Sequence, residues 1–544
     1  MHKTMGWILF FCVCIQAQNL EDIKKGLKGN RKDQTAAFEA LLKINTHEAA
    51  LVHASHFAGD NPYHRDKSYD YLLTLAESEG KWLTSLPLTE KNPYARKLFL
   101  DLLADRALAG KKDDGSTETI LKLLTNEKDP VPLGATLLAA GKLKTVEALE
   151  VIRKKLSLKQ ARVKAYAYEA IARLEGKKAL ETLRDILNEK EVETLVYSAQ
   201  MLAELARNFG PRRYAKEQES ATSEEKNANA VDSELRGLAL EVAYKIFKDA
   251  EKNNSEGWRL RSAVFQVLST YPDPRSIEML IQYLKTKPEG KMPSETARTL
   301  YAITNKDLGD DPKIWEGWWN ANREKWEPTV WGYPVQEATV PGKSTASYYG
   351  LQIFSDRIAF VLDGSGSMSG PITVTRKSTG GSVVGPTTQT MSYLERARQE
   401  LFRTLNELAK NNPKTKFQVI FFQEKLFIFS PNRLAPLKGS IPSVDKFLNK
   451  ITSEQSGDML AAIQTAMADP EVDAIFVLSD GAPSAGLHTL KDAFLKWIAE
   501  ENRFRCIQFF GIIIGGSTRG KYIMLDLAKT HQGKAIEDDL VLRE

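Results

Sequence analysis

Arg357-Ile358-Ala359-Phe360-Val361-Leu362 is an almost continuously apolar run that ends abruptly in Asp363-Gly364-Ser365-Gly366-Ser367. A run without polar alternation fits a strand buried on both faces, as in a parallel sheet covered by helices. Open sheets of that kind place ligand sites beyond the C-terminal ends of their strands. Here a carboxylate and two hydroxyls emerge at that end, and the glycines let the backbone turn tightly enough to gather them. Hard oxygen donors at alternate positions suit Mg2+ or Mn2+, not a metal that wants Cys or His. A second strand-like run, 473–478, ends in Ser479-Asp480-Gly481. With both strands parallel, Asp363 and Asp480 arrive at one edge of the sheet, and the pattern predicts a metal site. An Asp/Ser/Gly turn capping the next helix would account for the first motif alone, but not for the second.

Asp-x-Ser-x-Ser after a strand, with Leu478-Ser479-Asp480-Gly481 later, resembles the metal-ion-dependent adhesion site of von Willebrand factor type A (vWA) domains. The resemblance covers residues 348–544, about a third of the chain and a normal domain size. It implies Ser365 and Ser367 as direct ligands, with Asp363 and Asp480 acting mostly through water. In that family a threonine from a separate loop completes the set, and an acidic group of a protein partner fills the open position. This chain departs there: the corresponding stretch is Gln455-Ser456-Gly457-Asp458-Met459-Leu460. One alignment puts Gly457 at the threonine position, and a one-residue shift puts Asp458 there. Ser456, Asp458 or water then replaces the missing hydroxyl. An Asp ligand would strengthen cation binding and weaken attraction for an acidic partner.

The surrounding pattern predicts an α/β, doubly wound (Rossmann-like) domain. Leu394, Ala397, Leu401, Leu405 and Leu408 form one helical stripe. Residues 417–422 and 426–429 read as a hairpin at the sheet edge. Helices near 459–467, 490–500 and 522–530 alternate with strands at 473–478 and 506–514, which calls for a mainly parallel sheet. The Gly/Ser/Thr-rich insertion 370–392 leaves directly from the metal loop. It either covers the site or is a surface loop.

Upstream, the chain reads as helices with an internal repeat. Leu149, Ile152 and Leu156 recur 31 residues later as Leu180, Leu183 and Leu187, and Ile171 and Leu174 recur as Leu202 and Leu205. That period is one helix–turn–helix unit, and stacked units bury a continuous core. The segment resembles divergent HEAT-like repeats. A charged stretch, 211–233, is expected to be a long loop. Trp315, Trp318 and Trp319 share a helical face after Asp310-Asp311-Pro312, the pattern of a helix capping the last repeat. The expected organisation is therefore multidomain: a signal peptide at 1–17, an all-α HEAT-like solenoid at 18–328, a linker at 329–347, and the vWA domain at 348–544. This order is similar to that of bacterial exported HEAT/type A proteins.

The signal-peptide expectation rests on His2 and Lys3 before an apolar stretch, 6–15, followed by Gln16-Ala17-Gln18. It implies export, to a periplasmic or extracellular location. The apolar stretch is too short for an ordinary transmembrane helix, and no later segment is long and apolar enough for an anchor. After cleavage only Cys506 remains, inside an expected strand. The charge is +5 from 75 basic and 70 acidic residues, which leaves no nucleic-acid footprint.

Weaker constellations carry less. His47, His53, His56 and His64 cluster in sequence without a Cys or well-spaced acidic partner. Gly515-Gly516-Ser517-Thr518-Arg519-Gly520-Lys521 approaches a phosphate loop, but Tyr522 stands where Ser or Thr would hold Mg2+. No Ser/His/Asp or Cys/His set stands out, so no catalytic residue is assigned. The leading expectation is a non-enzymatic interaction protein that binds a protein partner through a Mg2+-dependent vWA site. A scaffold with a degenerate metal site is the alternative, and a metal-dependent hydrolase ranks last because Asp458 is its sole candidate base.

Overall fold

The structure, a computed structural model, describes residues 20–209, 223–252, 256–326, 344, 346–376, 387–453, 456–515 and 518–542. The expected signal peptide and most of the expected linker lie outside these residues. An N-terminal helical region is followed by a C-terminal mixed-sheet region, as the sequence pattern requires. The chain divides into two compact units, 1–175 and 176–544. The second unit holds the later helices together with the sheet.

One local rule starts many of the helices. Asn61-Pro62, Asn92-Pro93, Asp129-Pro130, Asp273-Pro274 and Asp311-Pro312 each put an Asx side chain at the cap and proline in the first turn. The Asx oxygen accepts from a first-turn amide, at 2.9 Å for Val131 and 2.8 Å for Lys313. Proline fits because it has no amide to leave unpaired there. The 31-residue offset reappears in the elements: helices Leu149–Lys155 and Ala161–Glu175 correspond to Leu180–Leu183 and Val192–Phe209. Ile152 and Leu183, at equivalent positions, are both buried, as are Ile171 and Leu202.

The expected loop at 211–233 needs correction. Helix Ser223–Asp249 already occupies its second half. Charge misled the reading, because Glu, Lys and Ala favour helix as strongly as they favour solvent. The tryptophan helix, Pro312–Asn322, packs on helix Pro274–Lys285. Trp315 is fully buried and donates from Nε1 to Gly309 O at 2.8 Å, while Trp319 donates to Glu278 Oε1 at 3.1 Å. Their rings serve packing.

The main sheet runs β11-β10-β9-β3-β6-β7. Its strands are β3 (Arg357–Asp363), β6 (Lys416–Phe422), β7 (Leu426–Phe429), β9 (Ala474–Ser479), β10 (Gln508–Ile513) and β11 (Ala535–Glu537). A seventh strand, β8 (Ala435–Pro436), pairs with β6 off this path, and all neighbours are parallel except β6–β7 and β6–β8. A short hairpin precedes it, β1 (Ala346–Tyr348) and β2 (Leu351–Ile353). Tyr349 at φ 53 and Gly350 at φ 93 make its two-residue turn, the left-handed pair that matches strand twist. Five helices belong to the sheet region: α1 (Tyr393–Asn411), α2 (Ile441–Leu448), α3 (Met459–Ala468), α4 (Lys491–Asn502) and α5 (Thr518–Thr530). Phe360, Leu362, Val419, Phe421 and Phe476 face Leu401, Leu405 and Leu408 of α1 in one core. Helix α3 lies against β3 and β6, and α5 lies against β10.

The insertion at 370–392 is not simply a loop. Its described parts are β4 (Pro371–Arg376) and β5 (Thr387–Ser392), an antiparallel ribbon to which β12 (Val541–Leu542) adds in parallel. Ile372, Val374 and Met391 give the ribbon its buried face, and the threonines between them face outward. That alternation, not the Gly/Ser/Thr content, was the informative signal.

Within the second unit, the earlier helices meet the N-terminal ends of the strands. Lys291, fully buried, donates to Cys506 O at 2.9 Å and pairs with Glu295 at 3.0 Å. Arg259 donates to Phe504 O at 2.6 Å, and Gln200 to Arg503 O at 2.6 Å. The Trp258 ring takes Lys291 Nζ at 4.7 Å and the Arg357 guanidinium at 5.4 Å. Residues 503–506 lead into β10 and Arg357 opens β3, so the opposite, C-terminal edge of the sheet is left for the loop Asp363–Ser367.

Candidate metal centre

The chain leaves β3 for β6 on one side and returns to β9 on the other, so strand order reverses at β3. Such a reversal opens a crevice at the C-terminal ends of the two strands. Asp363 ends β3, and Ser479-Asp480 ends β9 beside it. The structure therefore brings together the four oxygens on which the sequence pattern converged. Ser365 Oγ lies 3.0 Å from Ser367 Oγ, and Ser367 Oγ donates to Asp480 Oδ1 at 3.0 Å. Ser365 N donates to Asp363 Oδ1 at 2.8 Å, which folds the glycine turn back on the carboxylate.

The Ser365 Oγ–Ser367 Oγ spacing, a hydrogen bond here, is also that of two direct ligands of a small divalent ion. Ligands at about 2.1 Å on adjacent corners of an octahedron stand about 3.0 Å apart. Burial pushes the Asp363 carboxyl up to about 6, against hydrogen bonds from Ser365 and Ser479 that pull it down. Burial also raises Asp480, against the hydrogen bond from Ser367. A cation beside both groups would favour their charged forms.

Ser479 is a site residue whose role the sequence pattern did not assign. Its hydroxyl donates to Asp363 Oδ2 at 2.5 Å and accepts from Gly481 N at 3.1 Å, tying the two strand ends together. Its place between the end of the apolar run and Asp480 was the available signal.

Asp458 and Ser456 sit differently. Asp458 caps α3, accepting from Ala461 N at 2.8 Å, and its carboxylate presses on Gly486. Gly486, at φ 102, has room for no Cβ there. Among the described residues, no hydrogen bond or ion pair joins Asp458 or Ser456 to Ser365, Ser367 or Asp480. Gly457 packs on Phe422, where an added Cβ would stand 2.9 Å from the ring. A threonine at that position would need the ring to move.

The weaker constellations resolve into structure. Lys521 pairs with Glu537, and Gly520 packs on the backbone of Gly481, so close packing explains Gly520. His53, His56 and His64 do meet, around Phe38, with His64 stacked on it at 3.9 Å between ring centroids. Among the described residues, no group of three or more His, Cys, Asp or Glu side chains has an arrangement that could hold a metal ion. That finding speaks to the histidines and not to a site of two aspartates and two serines.

No family model matches this chain, and no curated protein matches it. Among solved structures, proximal thread matrix protein 1 from the mussel byssus aligns at 15% identity and TM-score 0.23, over 34% of this chain and 41% of that one. An uncharacterized membrane spanning protein from Vibrio fischeri aligns at 16% identity and TM-score 0.15, over 33% of this chain and 89% of that one. Likenesses this slight carry no argument about fold or function. Among the described residues no helix is long and apolar enough to cross a membrane.

Proposed function

We propose that residues 348–544 form a vWA-type domain that binds Mg2+ or Mn2+ and, through the ion, a protein partner. Ser365 and Ser367 would hold the ion directly, Asp363 and Asp480 would hold it mostly through water, and Ser479 would orient Asp363. The bound ion would supply an open coordination position for an oxygen of the partner, its acidic group in the leading reading. Helices of HEAT-like type would carry the domain or hold a second partner, in an exported, non-enzymatic interaction protein. The observation that supports this reading is the convergence of Asp363, Ser365, Ser367 and Asp480 at the point where strand order reverses. The tight fit of Gly457 on Phe422 favours a second reading, a scaffold whose metal site has lost its threonine.

Calorimetric titration of Mg2+ and Mn2+ into the full chain, beside Asp363→Ala, separates the two. Saturable binding that the variant loses supports the adhesion-type site. A folded wild-type chain that takes up neither ion leaves the scaffold.

A further inference from the structure

In the ribbon beside the Asp363–Ser367 loop the outer edge of β5 is open, and the hydrogen-bond register identifies the groups left there. Thr375 N donates to Leu540 O of the C-terminal tail at 2.8 Å, so the backbone of Thr375 faces β12 and not β5. Opposed residues of an antiparallel pair alternate between bonded and unbonded. Thr375–Thr388 and Thr373–Thr390 are therefore unbonded pairs, and Tyr393 N donating to Gly370 O at 3.0 Å fixes the same phase from the other end. The N–H and C=O groups of Thr388 and Thr390 consequently point away from β4. Thr388, Gln389 and Thr390 are all exposed, and among the described residues no strand covers this edge.

Edge strands are normally guarded by charge, proline or brevity. The other edges named here are shorter, four residues in β7, three in β11 and two in β12, and charges flank them. Glu424-Lys425 precedes β7, Asp538-Asp539 follows the three-residue β11, and Arg543-Glu544 follows the two-residue β12. β5 is the longest of these edges, six residues, Thr-Thr-Gln-Thr-Met-Ser, with no charge inside it and proline only before it, at Pro386. An edge of this kind is also its own complement. Turned about a two-fold axis through Gln389, Thr388 of one copy meets Thr390 of the other, and the reciprocal pair completes four main-chain hydrogen bonds. No like charges oppose each other in that register, and threonine pairs across strands contribute favourably. Thr373 Oγ1 and Thr390 Oγ1 already pair in this way, at 3.2 Å, within one ribbon.

We propose that β5 pairs antiparallel with β5 of a second copy, making a homodimer through a continuous sheet β12-β4-β5-β5-β4-β12. The pairing is isologous, so it uses up the β5 edge of both copies and leaves only the two-residue β12 at each outer end. The assembly closes at two copies and does not continue as a fibre. The proposal does not depend on a metal ion, and it sets two metal loops beside one dimer axis.

Four main-chain bonds and a few threonines bury less than the roughly 1,200 Å² of a stable interface, so the dimer is weak, with Kd in about the 1–100 μM range. Sedimentation velocity of the full chain in EDTA, from about 1 to about 200 μM, tests it over that range. The wild type should shift from monomer to dimer as concentration rises. Thr390→Pro removes an outward-facing N–H without touching the bonds to β4, and should remain monomeric. Thr388→Lys/Thr390→Lys sets like charges against each other across the axis, keeps every backbone donor, and should also remain monomeric. A wild type that stays monomeric throughout overturns the proposal. So does a lysine variant that dimerises like the wild type, and circular dichroism melting of each variant keeps unfolding from being read as dissociation.

Discussion

Lowering the pH from 7 to 5 should cost the first unit roughly 4 kcal/mol, and His53 and His56 carry the loss. Both rings are packed against Phe38, and the Nε2 atoms of both are buried without a hydrogen-bond partner among the described residues. His53 Nδ1 is satisfied by Ser68 Oγ at 2.9 Å, and its ring stacks on Tyr71 at 4.0 Å. The groups facing the cluster are the Leu41 backbone, which favours the charged form of His53, Glu39, which favours that of His64, and Tyr63, Tyr71 and Ser68. Burial, with mutual repulsion among the rings, lowers both His53 and His56 to about 4. In the unfolded chain they titrate near 6.5, so between about 6.5 and 4 the unfolded state binds more protons. Stability is then fully present above about 6.5 and falls as pH falls through about 4. At pH 5 a group with these two values contributes about 2 kcal/mol of destabilisation, hence about 4 for the pair. Hydrogen exchange of residues 20–175 at pH 7 and 5, at matched labelling, reads the loss locally. His53→Gln/His56→Gln should reduce the pH dependence to a small residue from His64. An unchanged pH dependence in that variant, or protection equal at the two pH values, would refute the reasoning.

Arg106→Ala should destabilise the first unit by about 3–5 kcal/mol in chemical denaturation, since it strands the buried Asp113 carboxylate that Arg106 grips twice at 2.6 Å. Gly457→Thr should lower stability by about 1–3 kcal/mol through its clash with Phe422, without improving Mg2+ affinity in calorimetry. Improved affinity there would revive the threonine position as a ligand. Ser479→Ala should weaken Mn2+ binding about 10–100-fold while the thermal melt stays near wild type, because it frees Asp363 without opening the core.

The central sheet was legible because apolar continuity reports burial on two faces, and burial of that kind leaves few architectures. Asp363, Ser365, Ser367 and Asp480 were legible for the same reason, since two such strands laid in parallel align their ends. What failed was reading by composition. The charges of 223–233 suggested solvent and are helical, and the Gly/Ser/Thr content of 370–392 suggested a loop although Ile372, Val374 and Met391 mark a ribbon face. The Asx-Pro helix starts were visible in the sequence and more regular than the leucine pattern. Asp458 could not be placed from sequence, because a carboxylate one residue before a helix serves a cap as readily as a metal. The contact with Gly486 joins segments that only the fold brings together.

Lys291, Arg259 and Gln200 grip the entrance to β10, while a partner held at Ser365 and Ser367 would pull on the exit of β3. Tension between those two ends runs along the strand axes. The ladder bonds of β10 to β9 and of β9 to β3 lie across that direction, so they must shear together and cannot unzip one at a time. With a partner held there, the second unit would act as a tension member, strongest along the line that joins its helices to that loop.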